Sequence, residues 1–293
     1  MTDGSTSTLI ADLLSRCTFP PSGTEVSCAI SGGPDSVALL LLAHAHGLHV
    51  TAIHVDHGLR DNSADDVNVI RPITDQLGIE LRVHTLSIDD GPNLEARARD
   101  ARYAVMPTDV MTGHTADDQA ETLLINLLRG AAGQGLGAMR PGFTRPILAL
   151  RREETHALCS AAGVTPVNDQ TNDDSRFLRN RVRAELLPLM ADISRRDPTP
   201  LLARTADVLR GDNDLLDELA RDIDATDALA LAAAPAPLAR RAIRRWLSNP
   251  YPPDLATIER VLSVARGDAL ACDIGENREI RRSKQRLSLR NLG

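Results

Sequence analysis

Residues 24–47, TEVSCAISGGPDSVALLLLAHAHG, constrain the fold more than any other stretch of this chain. An apolar run of strand length ends in two glycines, and a longer apolar stretch follows that reads as a helix over 34–47 and stops at Gly47. A buried strand that turns at once into a buried helix belongs in a sheet covered by helices. The pattern recurs downstream. LHVTAIHVD (48–56) and IELRVHTL (79–86) read as strands, with a helix at 63–77 between them that stops before Gly78. A helix at 93–105, a short fourth strand DVMTGH (109–114) and the clear helix TADDQAETLLINLLRG (115–130) complete the run. The fold class is therefore α/β, a Rossmann-like parallel sheet with helices on both faces.

The second half reads differently. The glycine-rich GAAGQGLGAM (130–139) is either a flexible loop or a place where backbone meets ligand. A short strand or turn then leads into a helix within 145–163, and 173–193 reads as one long helix interrupted late by Pro188. SRRDPTPLL (194–202) has the charge and proline content of a linker, which puts a boundary near Asp197 and two domains at 1–196 and 197–293. The second domain is smaller and mainly helical, with helices at 201–223, 227–248 and 254–266 and a hairpin or small sheet across Gly-Glu-Asn in 269–290. A length of 293 residues, 42% of them hydrophobic, suffices for two cores. No apolar run is long enough to span a membrane and the N-terminus lacks the order of a signal peptide, so a cytoplasmic protein is expected. Cys17, Cys28, Cys159 and Cys272 are scattered without a CxxC pair, which reads as reduced thiols rather than a metal site.

Chemistry concentrates at the strand ends. In SGGPDS, Gly32 and Gly33 leave backbone N–H groups open at a helix start, Ser31 and Ser36 add hydroxyls, and the helix dipole favours an anion. The loop carries no lysine, and Lys284 is the only one in the chain. A phosphate clamp must then be built from backbone amides, arginine or metal. IHVDHGLRDNSADD (53–66) places His54, Asp56, His57 and Arg60 near the end of the second strand, but H-x-D-H on an extended strand splits ligands between faces, so a polar rim beside the anion site is the preferred reading.

GHTADDQAET (113–122) combines a capping pattern, Thr115 with Asp118, with carboxylates gathered at Asp117, Asp118 and Glu121. Unneutralised acids beside a phosphate site would repel a nucleotide, which argues for Mg²⁺ between them. RFLRNRVR (176–183) lines Arg176, Arg179 and Arg183 along one helical face, suited to phosphate of a nucleotide or of nucleic acid. Further basic groups, Arg240, Arg241, Arg244 and Arg245, then REIRRSKQR (278–286), offer a local basic track that the net charge of -7 conceals.

SGGPDS resembles the PP-loop of the ATP pyrophosphatase superfamily, N-type, whose members cleave ATP between the α and β phosphates and adenylate a substrate. With LHVTAIHVDHGLR, NLEARARDARY, GHTADDQAETLLINLLRG, GLGAM, RPIL and FLRNRVRAELLP in that order, residues 24–190 are similar to the tRNA(Ile)-lysidine synthetase family. The resemblance implies that ATP adenylates the C2 oxygen of the wobble cytidine in a CAU-anticodon isoleucine tRNA, and that the ε-amine of free L-lysine displaces AMP. It implies pyrophosphate binding by Ser31, Gly32, Gly33, Pro34, Asp35 and Ser36, and catalytic roles for Asp35, Asp118 and Arg183. Asp35 and Asp118 would hold Mg²⁺, with Asp118 and Glu121 facing either the metal or the lysine ammonium. Arg179, His57 and Arg97 are placed near substrate or phosphate.

Two departures stand out. Thr115 occupies a place where the family commonly has a second histidine, and the segment 103–113 is short, with Pro107 suited to an early helix stop. Chain length implies that the extra terminal domain of longer members is absent. The competing readings are a PP-loop tRNA thiolase, which needs a cysteine pair or iron–sulfur site, and a noncatalytic nucleotide- or tRNA-binding protein. The oligomeric state stays open, with a homodimer among the options.

Overall fold

The computed structural model describes residues 4–56, 63–86, 97, 101, 104–167 and 178–292. The chain divides into two compact units, 1–207 and 208–293. In the first, α1 (Gly4–Leu14) precedes β1 (Glu25–Ala29), α2 (Pro34–Ala45), β2 (His49–Asp56), α3 (Ser63–Leu77) and β3 (Glu80–Thr85). The three strands are parallel in the order β1-β2-β3, with Cys28 opposite Ala52 and His54 opposite Val83. The helix anticipated at 93–105 lies mostly outside the described residues.

The anticipated fourth strand is reduced to a single parallel bridge between Met111 and Cys28. Its two hydrogen bonds, Met111 N–H to Ser27 O at 2.8 Å and Ala29 N–H to Met111 O at 2.9 Å, lie on the edge of β1 opposite to β2. Thr112 then turns away to bond Thr144 O at 2.9 Å, so the ladder stops there. The consequence is positional. β1 is flanked by β2 on one side and by 111 on the other, and its C-terminal end is the switch point at which open α/β sheets bind ligands.

Two cores enclose this sheet. On one face Cys28, Ile30 and Ala52 pack with Leu39, Leu40 and Leu42 of α2, Ile70 and Ile73 of α3, and Leu158. On the other, Ile53 and Val55 meet Met106 and Val110. The alternation along β2 between those two sets is the period-2 pattern of the strand made visible. α2 is apolar nearly all round because it is buried nearly all round.

Beyond the bridge come α4 (Ala116–Leu128), one turn of helix α5 (Gly133–Leu136) and α6 (Arg152–Ala161). The glycine-rich segment is pinned to α4: the buried Gln119 amide bonds both the N–H and the C=O of Met139 at 2.9 Å, and Asn126 bonds Gly135 O. The long helix anticipated at 173–193 is described from Leu178 as α7 (Leu178–Arg181), a π-helical turn (Val182–Leu186) and α8 (Leu187–Ser194). Pro188 sits in the first turn of α8, and the widened turn before it accommodates a residue that can donate no N–H.

The division between units falls within α9 (Thr199–Leu219). In the second unit the helix anticipated at 227–248 is two, α10 (Ala228–Ala233) and α11 (Ala236–Trp246). The cause is Pro235, which forces Ala234 into the extended region. α12 (Leu255–Arg266) is capped by Asp254 and ends at Gly267. β4 (Ala271–Gly275), β5 (Arg278–Ser283) and β6 (Arg286–Asn291) form an antiparallel sheet. Its two tight turns, Glu276–Asn277 and Lys284–Gln285, have both central residues at positive φ, the primed-turn geometry. Leu231, Ile243, Leu262 and Ile280 form this unit's core.

Candidate active site

The site is built where the loop after β1 meets the loop after Met111. Gly32 has φ +82, and a Cβ there would stand 2.7 Å from Val167 Cγ2, so the turn requires glycine twice over. Pro34 occupies the first turn of α2, where its missing N–H costs nothing. Ser36 closes the loop, donating to Gly33 O at 2.8 Å and accepting from Ser31 N–H at 3.2 Å. The second loop comes very close: a Cβ on Gly113 would lie 2.6 Å from Asp35 O and 2.9 Å from Ser36 N. Glycine at 113 is what lets the GHTADD segment lie against SGGPDS.

That approach brings Asp35, Asp118 and Glu121 together. Asp118 serves first as the cap of α4, accepting from Thr115 N–H at 2.8 Å and Thr115 Oγ1 at 3.0 Å on Oδ2. Thr115, the departure from the family pattern, thus orients the carboxylate itself. The other oxygen, Oδ1, accepts from Arg152 Nη2 at 3.1 Å and Arg179 Nη2 at 2.9 Å. One turn on, the fully covered side chain of Glu121 accepts from Arg152 Nη1 at 3.1 Å, Arg179 Nε at 2.7 Å and Arg183 Nε at 2.7 Å. Asp35 accepts from Thr155 Oγ1 at 2.5 Å and from Arg152 Nε at 3.4 Å. Asp117 faces elsewhere and is held by Arg151 at 3.0 Å and the backbone N–H of Arg152 at 2.9 Å.

The electrostatics follow from burial and company. Burial drives the Asp35 carboxyl above its ordinary value, an effect that Thr155 and Arg152 reduce and the neighbouring Asp118 increases. Burial also pushes Asp118 upward, but Arg179, Arg152 and His114 outweigh it and hold this carboxyl below the usual range. Arg152 and Arg179 are raised against the opposing effect of burial, by Asp118 and Glu121.

Sequence reasoning placed Asp35, Asp118, Glu121, Arg179 and Arg183, and the structure brings all five together. Arg152 and Thr155 escaped it. One signal was present: Arg151 and Arg152 open a helix, at the positive end of its dipole, where arginine is disfavoured unless carboxylates await it. His57 and Arg176 lie outside the described residues, and Arg97 is exposed in a helical position. His54 is buried, with Nδ1 against Ile30 O at 2.9 Å just below the loop, and no metal-binding group of His, Cys, Asp and Glu occurs among the described residues.

Mg²⁺ does not fit the carboxylates as they stand. Each of the six oxygens of Asp35, Asp118 and Glu121 already accepts a hydrogen bond, and three guanidinium groups balance the three negative charges. The charge neutralisation anticipated from a metal is supplied here by arginine.

Several arginines of the second unit are engaged within it. Arg240 pairs with Glu259 at 2.5 Å, Arg241 with Asp217 at 2.6 Å, and Arg286 with Asp224 at 2.6 Å. Arg244 donates to Pro253 O, and Arg245 to the carbonyls of Ala220, Arg221 and Ile223. These side chains fasten the unit together.

A glycine loop at the switch point of a parallel sheet, with arginines and carboxylates converging beside it, defines a nucleotide-binding α/β protein of the PP-loop class. The PP-loop domain family matches residues 7–190, and the TilS substrate binding domain family matches residues 227–288. The thiolase NcsA from Methanococcus maripaludis, solved with its [4Fe-4S] cluster, is similar with a TM-score of 0.54 at 16% identity, covering 70% of this chain and 78% of that one; this likeness bears on fold alone. Among curated relatives, the tRNA(Ile)-lysidine synthase of Mycolicibacterium paratuberculosis is 44% identical over 234 residues, 75% of this chain and 73% of that protein. The Nocardia farcinica enzyme of the same name is 38% identical over 270 residues, 85% of each. The chain belongs to the tRNA(Ile)-lysidine synthase family.

Proposed function

We propose that this protein ligates free L-lysine to C2 of the wobble cytidine of the CAU-anticodon isoleucine tRNA. ATP is consumed and AMP and pyrophosphate are released. In the first step the C2 oxygen attacks the α-phosphate and pyrophosphate leaves. In the second the ε-amine of lysine attacks C2, the C2–O bond breaks and AMP departs with the oxygen. The amine gives up its protons to solvent or to the departing groups. The observation that carries the reading is the convergence of SGGPDS and GHTADDQAET in one site, in a chain matched along both parts to this family.

The roles follow from position. Ser31, Gly32, Gly33 and Ser36 at the start of α2 bind the departing pyrophosphate through N–H and O–H groups. Arg179 and Arg183 face the charge that develops on the phosphate, since phosphoryl transfer depends chiefly on electrostatics and alignment. Asp118 and Glu121 receive the lysine ammonium, and Asp35 ties the loop to α6 through Thr155 and Arg152. ATP arrives with Mg²⁺, and no step is assigned to the ion. We assign 1–196 to ATP and catalysis and 197–293 to the tRNA, with the reaction in the cytoplasm. No described helix is long and apolar enough to cross a membrane.

The test is an assay of AMP and pyrophosphate release with a CAU-anticodon transcript and labelled lysine. Lysine incorporation supports the reading. Release of AMP with sulfur rather than lysine incorporated, or no adenylation at all, refutes it.

A further inference from the structure

The one-for-one balance of carboxylates and guanidiniums sets a condition on the amine substrate. An ammonium group brings three donors and no acceptor, so it needs carboxylate oxygens with room beside them. Here Glu121 is fully covered, and both its oxygens are taken, Oε1 by Arg152 and Arg183 and Oε2 by Arg179 and Arg183. Asp118 has Oδ2 closed by Thr115 and Oδ1 closed by Arg152 and Arg179. The cluster is neutral as a whole and holds no open acceptor for a cation.

The three arginines differ in how they are held. Arg152 is the first residue of α6, its backbone N–H is fixed by Asp117, and it alone reaches Asp35, Asp118 and Glu121. Three residues on, Thr155 bonds Asp35, and Cys159 Sγ approaches Pro34 O, so α6 is tied to the loop along its length. Arg179 and Arg183 come from the helical segment 178–194. Their hydrogen bonds go to Asp118 and Glu121, and Arg183 lies in the π-helical turn. Their side chains are 34% and 31% exposed, against 22% for Arg152. A triphosphate at the SGGPDS loop competes for these two more exposed cations with charge-assisted, bidentate bonds. Once they turn to phosphate, the carboxylate cluster keeps three negative charges against the one positive charge of Arg152.

We propose that Arg152 is a positioning residue that holds Asp35, Asp118 and Glu121 in register, while Arg179 and Arg183 exchange between the carboxylates and the nucleotide phosphates. The lysine ammonium thereby gains its acceptors only after nucleotide binds. The inference rests on the lysidine-forming reading above and adds an order of binding to it. By linkage, lysine tightens nucleotide binding by the same factor.

Equilibrium dialysis of the full chain with labelled lysine tests it, with and without an ATP analogue bridged by methylene between the α and β phosphates, and with Mg²⁺ in both arms. Calorimetry of the analogue alone runs beside it. Lysine is expected to bind at least about tenfold more tightly in the presence of the analogue, within the usual range of coupling between sites. Arg179→Gln, or Arg183→Gln if the first fails to fold, is expected to bind lysine without nucleotide. Arg152→Lys keeps a charge but loses the planar fork. It is expected to raise the lysine KM by about tenfold or more, as loss of charge-assisted bonds predicts, with analogue affinity held within about twofold. Equal lysine binding in both arms, no lysine binding in either, or an Arg152→Lys variant that weakens both ligands together, overturns the proposal. A chain that binds no nucleotide, or that turns over without incorporating lysine, overturns the lysidine-forming reading, and this inference falls with it.

Discussion

Arginine does two different jobs in the two units. In the second unit several guanidiniums pair singly with a carboxylate: Arg240 and Glu259 form a pair whose side chains are 43% and 40% exposed, and Arg286 and Asp224 another at 60% and 52%. In the first, Arg152, Arg179 and Arg183 share Asp118 and Glu121, and the latter has no exposed side-chain surface. Isolated exposed pairs are screened by salt and contribute little. A shared and largely buried cluster is different, because removing one member leaves the others without a counter-ion where water replaces it only in part. The difference separates arginines that fasten a fold from arginines that can be redirected.

The strongest way to break this comparison is at Asp118. Asp118→Asn keeps the shape and most of the cap to Thr115 but removes the charge that both Arg152 and Arg179 hold. Turnover is expected to fall about a hundredfold to a thousandfold, the scale on which preorganised electrostatics acts, with nucleotide affinity little changed. Single-turnover lysine incorporation measures it, and a variant with near-normal activity would show that the shared cluster is merely structural. Glu121→Ala comes next. It leaves three guanidiniums converging on an empty place, and because they retain some solvent the expected loss of stability is about 2–3 kcal/mol. Urea unfolding followed by circular dichroism reads this. Trp246, the only tryptophan, lies in the second unit, so its fluorescence is expected to report an unchanged midpoint there.

How much of this could be read in the sequence depends on the range of the interaction. The strand and helix order of the first unit is legible because each element carries its own period, as in β2, whose alternate residues enter opposite cores. The anticipated fourth strand has the apolar residues of one, but Thr112 bonds Thr144 instead and the ladder ends after one bridge. The split of 227–248 is legible in Pro235, which cannot continue the helix from Ala234. Asp118 and Glu121 show themselves by type and spacing, and Asp35 through the resemblance of SGGPDS to the PP-loop. Arg152 does not, since its role exists only when a residue 117 positions from Asp35 folds back against it. The contacts of Arg245 are equally long in range, since its partners are carbonyls more than twenty residues upstream.

Gly113 offers a smaller test that joins fold to site. Gly113→Ala puts a methyl group into the backbone of Asp35 and Ser36, a contact neither side can relieve by rotating a side chain. The two loops must separate, at an expected cost of about 1–3 kcal/mol, typical of overpacking. If the converging loops are the site, lysine incorporation is expected to fall by more than thermal stability does. A variant that loses stability but keeps full activity would show that the close approach serves only the fold.

The smallest effect is expected at Asp224, where the one-to-one pattern is clearest. Its carboxylate accepts from Thr226 N–H at 2.9 Å, Thr226 Oγ1 at 2.7 Å and Arg286 Nη1 at 2.6 Å. Thr226 first, then Arg286, lower the group from 3.8 to about 2. A carboxyl depressed on folding stabilises the folded chain above its unfolded value, and that contribution disappears as pH falls through the folded value. Asp224→Asn is therefore expected to unfold slightly more readily than the parent chain at neutral pH, and the gap is expected to close between about pH 4 and pH 2, the window set by these two values. Trp246 fluorescence in urea at stepped pH follows it in the unit concerned. Added salt is expected to narrow the same gap at neutral pH, because the pair with Arg286 is open to solvent. A gap that persisted at pH 2, or that ignored salt, would place Asp224 with the shared cluster rather than with the fasteners, and the contrast between the units would fail.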